Sequence, residues 1–433
     1  MIKFLKLFFI FYFLVSCSLK DTTGFWSQQE KLNKVENKLI PLFKKENILS
    51  KEFNTDFIID LDPSYLKLNL NAVLDNNDGY TEYSGNLEKI SKYNFSKIDN
   101  YEQAEQELIF FKNNVIFFDN KGTILNFDHN SKLIWKTNIY SKDEKKLSPK
   151  ISMSKNDNSL IVTDNLSKLY ALNMNDGSVL WSKNHITPFN SQIKIFRDYF
   201  FVVDSNNVLI CYSVNDGEKI WLYETEKPFV NSIKKLSIVI KDDLVVFNNS
   251  VGEITGLNLD NGSLEWQIST QNIEDFSELI DFKTSDLIIN DQSIYFSNNK
   301  NNFFSIDLNT GSINWKQKID SFIKPTIVGN LVFTISEDGY FFVIEKNSGN
   351  IIRINNIFKN QKIRKKNAIY PTGFILNYKD VFISTNKGRL FIMKLDSGII
   401  TDILKVSNSM ISRASIKNGN MYLVKDNSIL KLN

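Results

Sequence analysis

Histidine and cysteine are nearly missing from this chain. Two of each occur in 433 residues. That scarcity argues against most metal and nucleophilic chemistry, which draws on clusters of these side chains. An excess of one charge sign is lacking too: 52 Lys and Arg against 49 Asp and Glu give a formal charge of +3. So balanced a chain carries no electrostatic footprint for nucleic acid. No apolar run is long enough to cross a bilayer, which takes about 20 residues. Proline is scarce, at 7, and Phe abundant, at 34. The background of Asn, Lys and Ile reflects an AT-biased genome and carries no functional meaning.

The apolar run at the start, Leu7 to Val15, follows Lys3 and Lys6 and ends in Leu14-Val15-Ser16-Cys17. This has the shape of a secretory signal. Ser16-Cys17 resembles the lipobox of bacterial lipoproteins. The resemblance implies a signal peptide over residues 1–16 and a mature N-terminal Cys17 bearing a diacylglycerol thioether and an N-acyl chain. Several acyl chains anchor stably where one is marginal. Ser18 after the cysteine, in place of Asp, implies the outer membrane, on its periplasmic side. Residues 17–57 then read as a lipid-anchored tether. In it Leu32, Val35, Leu39 and Phe43 share one face of a short helix broken near Pro41. The other cysteine, Cys211, lies in the strand-like run Val208 to Tyr212 and reads as a small buried hydrophobe. A lipidated Cys17 cannot pair with it, so no disulfide is expected.

What the chain does have is a repeat. A small polar turn ending in Gly, two strand-type residues and a closing Trp recur at Asn175-Asp176-Gly177 to Trp181 and Asn215-Asp216-Gly217 to Trp221. They recur again at Asn261-Gly262 to Trp266 and Asn309-Thr310-Gly311 to Trp315. Weaker copies run from Ser348-Gly349 to Arg353 and from Asp396-Ser397-Gly398 to Asp402, and Ser131 takes the Gly place before Trp135. The closing positions stand roughly 40–50 residues apart, the period of four-stranded propeller blades. Within a period, short β-rich runs alternate with Asn-Gly and Asp-Gly turns that supply positive φ. The most apolar runs, Leu244 to Phe247, Leu331 to Phe333 and Val381 to Ile383, read as inner strands.

Trp135, Trp181, Trp221, Trp266 and Trp315 read as blade clasps, each ring packing across to the next blade while its indole N–H reaches a backbone carbonyl. Seven closing positions give seven blades. Three further strands, in Ile411 to Ile416, Met421 to Val424 and Ile429 to Leu432, need a fourth from Tyr65 to Leu74 or from Leu87 to Ile98. The expected fold is therefore all-β: one eight-bladed propeller over residues 58–433, closed by strands from both ends so that no edge stays open.

Tyr170 to Trp181 and Ile306 to Trp315 are similar to the PQQ-type propeller repeat, a likeness that covers about residues 105–432. With the lipobox and no further domain, the chain resembles the BamB family of lipoproteins of the outer-membrane β-barrel assembly machinery. That resemblance implies a non-enzymatic scaffold, without cofactor or metal, whose partner is the barrel-inserting subunit or its clients. It also implies partner contacts from loops of the middle blades. The nearest acidic stretch here supplies Glu278, Asp281 and Asp286.

Two other functions are open to such a fold. One is a scaffold or sensor of a different envelope complex. The other is a quinone-dependent dehydrogenase, which uses the same repeat around a central funnel holding quinone, Ca²⁺, a catalytic Asp, an Arg and often a vicinal disulfide. This chain has no Cys-Cys pair and no long insertions to wall a funnel. Asp75 to Gly79 looks like a calcium loop, but aligning its Gly puts Leu74 and Gly85 at ligand positions. His129 and His185 read as isolated surface residues. The basic stretch Lys359, Lys362, Arg364, Lys365 and Lys366 reads as a solvated loop.

Overall fold

The computed structural model describes residues 49–61, 81, 83–96, 108–271, 282–361 and 369–433. The expected signal peptide, Cys17, the tether up to residue 48, the run Tyr65 to Leu74 and the turn Asp75 to Gly79 lie outside these residues.

All strands among the described residues fall into eight four-stranded antiparallel sheets, the blades of one propeller. In chain order, blade 1 spans residues 109–137, blade 2 151–184, blade 3 194–224 and blade 4 238–269. Blade 5 spans 288–317, blade 6 326–356 and blade 7 371–405. Blade 8 combines Ser415–Lys417, Asn420–Lys425 and Ser428–Leu432 with Lys89–Asn94, which pairs antiparallel with Ser428–Leu432. Of the two candidate closing segments, the one within Leu87 to Ile98 therefore seals the ring.

First strands of neighbouring blades lie against one another around the axis, Lys194–Phe196 touching both Ile151–Lys155 and Ile238–Lys241. Fourth strands form the rim. The apolar runs expected to be inner strands are second strands, Leu244–Asn248, Leu331–Ile335 and Asp380–Thr385, each with a strand on either side. The reason is coverage. A second or third strand has a strand on each side and a blade on each face, so Phe200, Phe201, Val202 and Val203 are all fully buried, whereas a first strand has one edge on the axis. On the rim, Val179 and Leu180 are exposed. A bulge there sets Trp181 opposite Ala171 and Val179 opposite Leu172.

Residues 49–61 lie on the rim of blades 6 and 7. Phe53 exchanges both backbone hydrogen bonds with Ile354 of the blade 6 rim strand, and Ile59 and Leu61 are buried. The expected tether boundary at residue 57 thus falls within a docked stretch. Farther on, Tyr83 is buried against blades 7 and 8.

Candidate interaction surfaces

Antiparallel strand order gives the disc two faces. The first carries the turn between the third and fourth strands of each blade. The second carries the turn between the second and third strands, and the linkers to the next blade.

On the first face the tryptophans bind blade to blade. Trp135 Nε1 donates to Met174 O (3.2 Å) and Trp181 Nε1 to Val214 O (2.9 Å). Trp266 Nε1 donates to Leu308 O (2.9 Å) and Trp315 Nε1 to Lys346 O (2.8 Å). Each ring lies flat on the turn glycine of the following blade. A Cβ on Gly177 would meet the Trp135 ring at 2.5 Å, and one on Gly262 would meet Trp221 at the same distance. Gly177 also sits at φ +71°. Two independent reasons, positive φ and close approach, thus require glycine there.

Three of the eight seams lack a tryptophan: those of blades 6 and 7, of blades 7 and 8, and of blades 8 and 1, where the rim strand is Lys89–Asn94. At the seam of blades 6 and 7, Arg353 takes the Trp register, opposite Val343 as Trp181 is opposite Ala171. Its NH2 donates to Leu395 O (2.6 Å), the carbonyl three residues before Gly398, and its NH1 donates to Asp396 O. Asn355 fills the space over Gly398. Burial pushes the guanidinium down to about 10, with Asp396 opposing. At the seam of blades 7 and 8, Asp402 in the Trp register is exposed. Tyr83 fills that seam instead, edge-on to Phe382 at 5.3 Å.

On the second face, acids of the second-to-third-strand turns serve the fold. Asp164 Oδ1 accepts from the N–H groups of Leu166 and Lys168 (both 2.8 Å), and its Oδ2 accepts from Tyr140 OH on the preceding linker. Asp119 accepts in the same way from its own turn and from Ser96. His185 belongs to this set and is not the isolated surface residue expected. Its ring stacks on Phe189, with Nε2 3.4 Å from Asp204 Oδ2 and Nδ1 3.2 Å from Tyr212 OH. Sequence spacing could not reveal it, because its partners lie in the next blade. His129 is exposed.

Glu278 and Asp281 lie outside the described residues. Asp286 stands just ahead of the first strand of blade 5, beside the axis, with a side chain 4% exposed. It accepts from Lys234 Nζ (3.1 Å) and Gln192 Nε2 (2.9 Å), and Lys324 Nζ is 3.5 Å away. Burial acts to raise its carboxyl, but the two ammonium groups outweigh that and hold it well below the usual range. Lys234 also donates to Phe322 O, and Lys235 to Ile151 O. Side chains from the linkers before blades 3, 4, 5 and 6 therefore meet one another at the axis on the second face. Asp286 is committed inside the disc.

Exposed apolar groups gather elsewhere on that face. Leu147 in the linker of blades 1 and 2, Ile186 in that of blades 2 and 3, and Phe229, Val230 and Ile233 in that of blades 3 and 4 all face solvent. Ile186 is 97% exposed and Phe229 83%. The last two linkers are tied together, Asn190 Nδ2 donating to Ser232 O and Asn190 N–H pairing across to blade 3. A set apolar arc on a rigid face can bury against a protein partner with little ordering cost. Cys211 is a free thiol, 1% exposed, and burial raises it to about 12.

A family model described as outer membrane protein assembly factor BamB matches residues 120–355. A comparison with curated protein sequences gives no match. Among solved structures, BamB from Moraxella catarrhalis aligns with a TM-score of 0.65 at 16% identity, over 80% of this chain and 100% of that one. A europium-containing methanol dehydrogenase aligns with a TM-score of 0.64 at 10% identity, over 82% and 88%. The quinohemoprotein alcohol dehydrogenase of Comamonas testosteroni aligns at 0.61 and 11% identity, over 82% and 79%. Identities this low show a shared fold.

Proposed function

Because the chain belongs to the family of outer membrane protein assembly factor BamB, we propose that it is a non-enzymatic scaffold lipoprotein of the barrel-assembly machinery. It is anchored through Cys17 on the periplasmic side of the outer membrane and holds the barrel-inserting subunit or its clients. The family match over more than half of the chain carries this reading. Two features of the disc support it. The arc of Leu147, Ile186, Phe229, Val230 and Ile233 offers apolar anchors on a preformed face. At the axis, where a quinone dehydrogenase keeps its cofactor funnel, this chain's own Gln192, Lys234, Asp286 and Lys324 bind one another. The partner-contact role of Glu278 and Asp281, which lie in the sequence between blades 4 and 5, belongs to the same proposal.

Affinity isolation of the membrane-anchored protein tests the reading. The expected co-purifying species is the barrel-inserting subunit. A different envelope complex in its place would favour the other scaffold reading. Dye reduction on adding quinone and Ca²⁺ would favour the dehydrogenase. Replacing Cys17→Ser should move the protein from the membrane to the soluble fraction; retention on the membrane would contradict the lipid anchor.

A further inference from the structure

Arg353 does more than copy a tryptophan. An indole has one N–H to satisfy at a seam. A guanidinium has five donors and a charge that is costly to bury unless several acceptors surround it. Arg353 is fully buried. Leu395 O and Asp396 O supply two acceptors, and the third is Phe57 O at 2.9 Å, in the N-terminal stretch on the rim. That stretch is bound in several further ways. Phe53 N–H donates to Ile354 O (3.1 Å) and Ile354 N–H to Phe53 O (2.9 Å), which extends the blade 6 sheet outward by a strand-like contact. Asn54 Nδ2 donates to Ile352 O and Ile59 N–H to Asp396 O. Ile59 and Leu61 are buried with Phe341, Phe374 and Phe391 of blades 6 and 7.

We infer that Arg353 is a latch: it makes residues 53–61 the outer strap of the seam between blades 6 and 7 and holds that stretch on the rim. With a tryptophan at this place the seam would close on itself, as the five Trp seams do, and the strap would lose its buried charged partner. With Arg353 the seam is complete only when the strap is seated. In a ring of eight blades, the seam of blades 6 and 7 that carries the strap stands four blades, half a turn, from the seam of blades 2 and 3 that bears Ile186. The latch does not rest on the proposed function.

Residue-resolved hydrogen exchange on the full chain tests the latch. In Arg353→Trp the Phe53 and Ile59 amides should exchange on the order of 10–100-fold faster, the factor set by losing a hydrogen bond to a charged group. The Gly398 amide, bonded within blade 7 to Lys394 O, should keep its rate. Parental rates at Phe53 and Ile59 would overturn the inference. Should the indole fail to pack, Ile59→Asp keeps Arg353 and attacks the strap alone. The Phe53 and Ile354 amides should then speed up together while Gly177 in blade 2 stays unchanged. No change at Ile354 would overturn the inference as well. A chain that shows the predicted exchange but captures no barrel-assembly subunit would refute the proposed function and leave the latch standing.

Discussion

Single residues at the seams decide how the blades hold together, and they make predictions that differ in kind. Trp266 is 7% exposed and donates to Leu308 O. Trp266→Ala should lower unfolding free energy by about 3–5 kcal/mol, the range for a large buried ring, read by denaturant unfolding. Asp286 differs because its effect is electrostatic. Its folded carboxyl lies below the unfolded value near 3.9, so its contribution is present above about pH 4 and lost as pH falls through the folded value. Asp286→Asn removes the carboxylate from beside Lys234 and Lys324 and should cost about 3–5 kcal/mol at pH 7. The melting-temperature gap to the parent should narrow between pH 4 and pH 2; a gap constant with pH would contradict the assignment. Cys211, buried and raised to about 12, should react with a maleimide only after denaturant is added. At this scale the tryptophans were legible because their spacing repeats. Arg353, His185 and Asp286 were not, since each has polar partners 19 to 296 positions away along the chain.

The strands were legible to differing degrees. Turns such as Asn173 to Ser178 follow from the need for positive φ at Gly177. Inner strands followed from apolarity, because apolarity tracks coverage, and coverage peaks in the second and third strands. The closing strand, Lys89–Asn94, has the weak sequence Lys-Ile-Ser-Lys-Tyr-Asn with a single buried residue, Tyr93. Its assignment needed the hydrogen bonds to Ser428–Leu432. Tyr93 stands beside Ser131, the residue in the Gly place of blade 1, and so serves the last seam of the ring. The described residues ahead of blade 1 thus serve all three seams that lack tryptophan: the strap at blades 6 and 7, Tyr83 at blades 7 and 8, and Tyr93 at blades 8 and 1. Tyr83→Ala should therefore destabilise the disc by about 3–5 kcal/mol, as for other large rings, with early loss of amide protection in blades 7 and 8. Equal loss in blades 2 and 3 would mean that Tyr83 is not a seam residue.

At the scale of the whole propeller, the described residues form a closed ring in which turn acids such as Asp164, the tryptophans and the axial ion cluster hold its own blades together. Exposed apolar groups stand on rim strands, as at Leu180, Ile220 and Ile313, and on the second face over blades 1 to 4, as at Ile186 and Phe229. The second-face group is the one that the proposed scaffold role uses, and that role agrees with the family to which the chain belongs. The repeat gave seven blades and the three C-terminal strands pointed to the eighth; the outer-membrane address is part of the proposal and rests on the lipobox resemblance. The arc could not be read from the sequence, since an isoleucine or phenylalanine in a linker looks the same whether it is buried or bare.

The most direct test compares the parent with an Ile186→Asp, Phe229→Asp double variant in one affinity isolation, at matched abundance and melting temperature. The account predicts that the parent recovers the barrel-inserting subunit and that the variant loses it, as expected when anchors each worth about 2 kcal/mol or more are removed. Equal recovery by both would place the contact off the arc. Recovery of no barrel-assembly subunit by the parent would contradict the central claim.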